Sequence, residues 1–128
     1  AGVAERMENY SEEMAALREE IAIQKEIIAV KSVSTKLSSS LVRSGSKRKV
    51  KLSWRLSEKV DGLKYQLYKS QKRNSGYKKC FTTSKQTFTN TSGLKKGKTY
   101  YYKVRGYKYL GGKYYYTAWS NVSYRKIS

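Results

Sequence analysis

The 128-residue sequence contains no histidine, no proline, one cysteine and nine acidic residues. Without histidine the commonest general base and metal ligand is missing. Only two carboxylates, Glu58 and Asp61, lie beyond residue 30, and both belong to one turn. A two-carboxylate hydrolase needs its acids converging on a cleft, whereas a turn of this kind is capped by them. Cys80 has no second cysteine for an internal disulfide and no histidine to activate it. In the setting Tyr77-Lys78-Lys79-Cys80-Phe81-Thr82 a buried, inert thiol is expected rather than a reactive or intermolecularly paired one. No Cys/His metal spacing and no glycine-rich phosphate loop before a helix is present. No run approaches the ~18 apolar residues of a membrane span. No basic-then-apolar signal segment opens the chain, and a start at Ala1 is expected either of a processed product or of a segment cut from a longer sequence. The expectation is a non-catalytic protein with no cofactor and no metal.

What is abundant is positive charge and tyrosine, and neither is spread evenly. Residues 1–30 hold seven acids and three bases, a net −4. Residues 31–128 hold 25 bases and two acids, a net +23, which together give the overall +19. Two physically different segments are joined. Residues 1–28 carry a heptad seam. Met7, Met14, Ile21 and Ile28 fall at a, and Val3, Tyr10, Leu17 and Gln24 at d. Glu13 and Glu20 then occupy g while Arg18 and Lys25 occupy e, five residues later in each case. That spacing pairs g of one chain with e of its neighbour in a parallel coiled coil, so the segment is expected to assemble chains. An amphipathic helix folded onto its own domain is the alternative. Tyr10 and Gln24 are weak d residues, and Ile23, Ile27 and Val30 widen the apolar face near the helix end. The wider face predicts a multi-helix partner or docking on the segment that follows or on a neighbouring subunit.

From residue 29 the apolar period changes from 3.6 to 2. Val33, Thr35 and Leu37 are expected to form a short first strand, followed by a serine-rich connection through Ser38-Ser39-Ser40 and Ser44-Gly45-Ser46. Val50, Leu52 and Trp54 alternate with Lys49, Lys51, Ser53 and Arg55, a half-buried strand. Leu63, Tyr65 and Leu67 alternate with Lys64, Gln66 and Tyr68. Two further strands are expected at Tyr77–Thr83 and Gln86–Thr91, the second with Phe88 inward. Gly97 opens a turn, after which Tyr100, Tyr102 and Val104 face one way and Tyr101, Lys103 and Arg105 the other. A hairpin at Tyr109–Lys113 leads to a last strand, Tyr114–Ile127, bent near Ala118-Trp119-Ser120.

Leu94, two residues, Gly97, then a tyrosine that opens a strand resembles the tyrosine corner of a fibronectin type III domain. Lys-Leu-Ser-Trp, Tyr-Gln-Leu-Tyr and this corner are similar in order and spacing to that family's strands B, C and F. The lysine- and tyrosine-rich style is nearest to modules from bacterial surface and secreted proteins. The resemblance covers about residues 29–127, with Lys96 standing where the family often has proline. It implies an all-β fold, a seven-strand, two-sheet sandwich over residues 29–128, preceded by the α-helix of residues 1–28. It further implies that Trp54, Tyr65 and Tyr102 are core, that the Tyr100 hydroxyl returns to the upstream backbone and that Leu94 plugs the bottom of the sandwich.

The residues left for function are basic and aromatic: Lys49, Lys51 and Arg55, then Tyr101, Lys103, Arg105 and Tyr107, then Lys113 and Tyr115. Lysine rows also blunt sheet edges and keep a domain soluble, but a net +23 over 98 residues exceeds that need and calls for a counter-charge. The expected role is an extracellular structural or adhesion module of a bacterial surface, assembled as a homo-oligomer or polymer through its helix. A filament in which acidic helices pack on the basic sandwiches of neighbours is a close variant. Anionic wall polymer, polysaccharide or an acidic protein surface are the expected ligands. A nucleic-acid-binding protein and an accessory domain of a larger wall enzyme are the alternatives.

Overall fold

The computed structural model describes residues 3–128, with side chains from Tyr10 onward; Val3 and Met7 of the seam therefore have side chains outside the described residues. One helix, α1 (Val3–Ser32), precedes eight strands: β1 (Thr35–Ser44), β2 (Lys47–Leu56), β3 (Lys64–Ser70), β4 (Lys78–Thr83), β5 (Thr87–Asn90), β6 (Thr99–Leu110), β7 (Lys113–Tyr116) and β8 (Ser123–Lys126). The strands form two antiparallel sheets. One is ordered β1-β2-β5; the other is β4-β3-β6 with both β7 and β8 on the far side of β6. This is the fibronectin type III-like sandwich with an N-terminal helix that the resemblance implies. The expected seventh strand is present as two pieces, β7 and β8.

The alternating residues fill the space between the sheets. Val50, Leu52 and Trp54 of β2 face Tyr65 and Leu67 of β3 and Tyr100, Tyr102 and Val104 of β6, and all eight are buried. Trp54 and Tyr65 meet edge to face at 5.5 Å. Each fully buried large apolar side chain contributes about 1.5–3 kcal/mol, so this layer supplies most of the sandwich's stability. The corner forms as implied. Gly97 takes a φ of 85° in the turn, and the Tyr100 hydroxyl accepts the Lys95 backbone N–H at 2.7 Å. Leu94 is half-buried against the same core.

Three expectations change. The serine-rich stretch is strand, not loop: Ser38, Ser39 and Ser40 pair with Ser53, Leu52 and Lys51, and β1 runs unbroken to a two-residue hairpin at Gly45-Ser46. Small hydroxyl side chains suit that edge because β8 lies across it. Arg125 donates to the Ser39 carbonyl, and the Ser39 and Ser123 hydroxyls share a bond of 2.6 Å. Val33 belongs to the link between α1 and β1 rather than to the strand. The helix itself continues to Ser32, four residues past the expected boundary.

The helix end is fixed in cis. Ile27 and Val30 are buried in the sandwich core, with Ile23 packed against it. Glu26 accepts from Lys108 at 3.0 Å, and the same amine donates to the Asp61 carbonyl. The widened apolar face near the helix end thus serves the chain's own sandwich.

Candidate binding surface

Along the outer face of the five-stranded sheet, cations and aromatic rings alternate in one stripe. Strand β6 sends Tyr101, Lys103, Arg105, Tyr107 and Tyr109 outward because its even-numbered residues, from Tyr100 to Val104, fill the core. The guanidinium carbon of Arg105 lies 4.0 Å from the centre of the Tyr116 ring and 4.6 Å from that of Trp119. Its Nε donates to Gln66 at 3.0 Å, which fixes the plane of the group. The Lys103 amine sits over Trp119 at 4.3 Å and over Tyr77 at 4.5 Å. Arg73 covers Tyr124 at 4.7 Å and Tyr101 at 5.3 Å. At the other end Tyr107, Tyr109 and Tyr114 form a cation-free cluster with centroids 4.8–6.0 Å apart. From Tyr101 to Tyr109 the stripe is about 27 Å long, at ~3.4 Å per residue.

Trp119 is aimed here by the break between β7 and β8. Between β7 and β8 two residues keep the chain tied to β6 by backbone and side chain together. The Thr117 and Ser120 N–H groups donate to the Gly106 and Val104 carbonyls at 2.9 and 2.8 Å. Thr117 Oγ1 accepts the Gly106 N–H and Ser120 Oγ accepts the Val104 N–H, each at 2.9 Å. Both hydroxyl residues are buried, and Ala118 and Trp119 between them are pushed outward. Gly106 permits the close approach: a Cβ there would lie 3.2 Å from Thr117 and 3.4 Å from Leu63 and Tyr65. The bend expected at Ala118-Trp119-Ser120 is this break.

The charge of the stripe is held but not neutralised. Among the described residues the only ion pairs are Lys59–Asp61 and Lys108–Glu26, neither of them on this face. A cation over an aromatic ring gains about 0.5–1 kcal/mol at an exposed site, enough to orient it. The ring carries no net charge, so the cation stays available to an anion. Trp119, Tyr116, Tyr114, Tyr109 and Tyr124 are all exposed.

The expected basic and aromatic set therefore separates into three surfaces. Tyr101, Lys103, Arg105 and Tyr107 lie in the stripe. Lys49, Lys51 and Arg55 project from β2, on the opposite outer face of the molecule, because β2 belongs to the other sheet. Lys113 and Tyr115 share neither face. Their register partners are Leu110 and Lys108, which point toward the helix side, and Tyr115 is half-buried there with Lys31 5.6 Å above its ring. The outward residues of β7 are Tyr114 and Tyr116. The residues that complete the stripe, Tyr68, Arg73, Tyr77, Tyr114, Tyr116, Trp119 and Tyr124, come from three other strands and two loops. Period-2 counting through Tyr114-Tyr115-Tyr116 from the hairpin glycines would have exchanged Tyr115 for its neighbours.

A second basic feature is a cleft of about 670 Å³ lined by Lys69, Lys72, Lys78, Lys79, Cys80 and Tyr100. Lys69 spends its donors internally, on Asn90 Oδ1 and the Gly93 carbonyl at 3.2 Å each, and lies 4.7 Å over the Tyr100 ring. Burial lowers its pKa. Burial likewise pushes the Cys80 thiol up, against a smaller opposing effect of Lys69. Cys80 is half-buried rather than buried. Among the described residues no group of three His, Cys, Asp or Glu side chains converges as a metal site, and no helix is long and apolar enough to cross a membrane.

No family model and no curated protein sequence matches the chain. Solved structures do match. Part of pectate lyase Pel3 from Pectobacterium carotovorum superposes with a TM-score of 0.52 and 21% identity in the crystal form with two monomers, over 71% of this chain and 26% of the lyase. The form with one monomer gives 0.51 and 18%, over 73% and 27%. An Fn3-like protein from Clostridium thermocellum gives 0.48 and 20%, over 77% of this chain and 96% of that one. The two-sheet topology and the tyrosine corner make the fold fibronectin type III-like. The chain spans about a quarter of the length of the pectate lyases, and the likeness is one of architecture.

Proposed function

We propose that the chain is a non-catalytic structural and adhesion module that works outside the cell and holds an anionic polymer on the stripe. The observation that carries this reading is the row of pre-oriented, un-neutralised cations between exposed aromatic rings. An acidic polysaccharide or wall polymer presents two features at regular spacing: apolar sugar or backbone faces, and carboxylates or phosphates. Rings such as Trp119 and Tyr116 accept the first by packing, while Arg105, Lys103 and Arg73 pair with the second. Arg105 is already held by Gln66 and two rings, so little side-chain entropy is lost on binding. Pectate lyases, by name, act on pectate, and an anionic sugar polymer of that type suits this surface. The flat, open face favours many weak contacts, the mode of an adhesin or of a module that tethers a larger protein.

The test is binding of the full chain to oligogalacturonate and to polyglycerol phosphate over a range of salt, with neutral dextran and single-stranded oligo-dT as comparators. Both anionic polymers are expected to bind, with log affinity falling linearly in log salt because counterions are released. Arg105→Gln with Trp119→Ala is expected to weaken binding at least tenfold, and Lys51→Gln on the opposite face to leave it nearly unchanged. Equal loss from both variants would reduce the interaction to diffuse charge and sink the site. Oligo-dT that binds more tightly than either polymer, and does so at physiological salt, would establish the nucleic-acid alternative, since base stacking on aromatic rings tolerates any sequence.

A further inference from the structure

The helix presents a second apolar face that its own sandwich does not use. Docking in cis employs Ile23, Ile27 and Val30. At 3.6 residues per turn these cluster about 140° around the helix from Tyr10, Met14, Leu17, Ile21 and Ile28. On that other side Tyr10, Leu17, Ile21 and Ile28 are 65%, 51%, 54% and 63% exposed. From Tyr10 to Ala22 every side chain is exposed except that of Met14, which is half-buried, and the first helix residue packed against the sandwich core is Ile23. A free helical segment of this length is marginal in water unless its apolar face is packed.

The charges beside the seam say what packs there. Glu13 and Glu20 stand at g, with Arg18 and Lys25 at e, all on the exposed part of the helix. In a parallel pair each Glu faces a cation of the other copy. In an antiparallel pair g meets g and e meets e, so Glu would face Glu and Arg would face Lys. Ion pairs within the chain do not use these groups: Glu26 and Lys108 are the one helix-to-sandwich pair among the described residues. We infer that the occupant of this face is the same helix of a second copy, lying parallel and in register. The sandwiches then sit at one end of the paired helices, each docked on the side of its helix turned away from the seam, with both stripes facing solvent. Two stripes on one assembly engage a polymer with a raised effective concentration, which would strengthen the adhesion proposed above. The pairing itself does not depend on that reading, since polymer binding can fail while the chains still associate.

The experiment is sedimentation equilibrium of the full chain, with circular dichroism as the check on folding. The wild-type chain is expected to associate reversibly, and Leu17→Asp to shift it to monomer with the sandwich melt unchanged. Glu13→Lys with Glu20→Lys, and separately Arg18→Glu with Lys25→Glu, are each expected to weaken association at least tenfold by placing like charges across the seam. An equimolar mixture of these two double variants is expected to restore it as a mixed pair. The loss in each double variant alone is the sign of parallel g–e′ pairing, since an antiparallel wild-type pair would already set like charges against each other. Restoration in the mixture shows that neither variant has lost its helix. A wild-type chain that is monomeric at its highest soluble concentration would overturn the inference. So would association that survives Leu17→Asp but is lost in Arg105→Gln, because that result would place the acidic helix on a neighbour's stripe instead.

Discussion

Two tyrosines on one strand provide an internal control for the corner. Tyr100 and Tyr102 are 2% and 0% exposed, two residues apart on β6, and both rings belong to the core. Their hydroxyls differ. That of Tyr100 accepts the Lys95 N–H at 2.7 Å, whereas that of Tyr102 reaches Asn90 Oδ1 only at 3.4 Å. Replacing either with phenylalanine keeps the ring and its packing. In Tyr100→Phe the Lys95 N–H, part-buried in the turn, loses its acceptor, and an orphaned buried donor costs about 1–3 kcal/mol. Partial access to water in the turn places the expected loss at about 1–2 kcal/mol. In Tyr102→Phe the amide oxygen of Asn90 keeps Lys69 as a donor at 3.2 Å, so the loss is expected below about 0.5 kcal/mol. For a domain of this size 1 kcal/mol moves the melting midpoint by about 3–6 °C. Tyr100→Phe should therefore melt about 3–12 °C below wild type and Tyr102→Phe within about 3 °C of it. Thermal and urea melts of both variants decide the matter. Equal effects, or a larger one at Tyr102, would mean that the corner hydrogen bond does not anchor the turn.

Two further predictions concern titration. Burial raises the pKa of Tyr102, and that of Tyr65 as well. A folded-state value above the unfolded one keeps its stability fully below about pH 10 and loses it as pH climbs further, by up to ~1.4 kcal/mol per pH unit for each such tyrosine. Urea midpoints should fall above about pH 10, and Tyr102→Phe should flatten that fall; an unchanged slope would show that the phenol titrates freely in the folded chain. For Cys80, whose thiol is pushed up chiefly by burial, iodoacetamide at neutral pH should react at least tenfold more slowly in the native chain than in denaturant. Equal rates would show that the thiol is open to solvent.

What was legible in the sequence is what a period of 2 can report. Val50-Leu52-Trp54 and Tyr100-Tyr102-Val104 could only be strands with one face in a core, and Tyr100 after Gly97 named the corner. The serine run was misread because composition speaks for the side chains of a strand, not for its backbone pairing. Serine pairs along β2 as well as valine does when a neighbouring strand covers it. The stripe was half legible. Outward residues on β6 followed from alternation, but Arg73, Tyr68 and Trp119 arrive from elements far apart in the chain. Their meeting depends on register and on the break at Thr117–Ser120, which periodicity does not encode. The Tyr115 assignment failed by one residue, and in a strand one residue is the other face.

The energetics of the stripe argue against its being only a surface ornament. Side chains two residues apart on one face are about 7 Å apart, which lies within the Debye length at physiological salt. Two unit charges at that separation repel by about 0.6 kcal/mol in water and by several times more beside protein. Lys103 and Arg105 are brought closer to one purpose still, since both lie against Trp119. The repulsion is thus comparable to the 0.5–1 kcal/mol that a ring returns to each cation. Left alone, the arrangement is close to break-even for the fold, and a solubilising surface would gain more from lysines that spread apart. An anion laid along the row removes the repulsion while leaving the ring contacts in place. The same repulsion acts between Lys49 and Lys51 on β2, so the aromatic rings that hold Lys103 and Arg105 in place are what favour the stripe as the proposed site of the counter-charge.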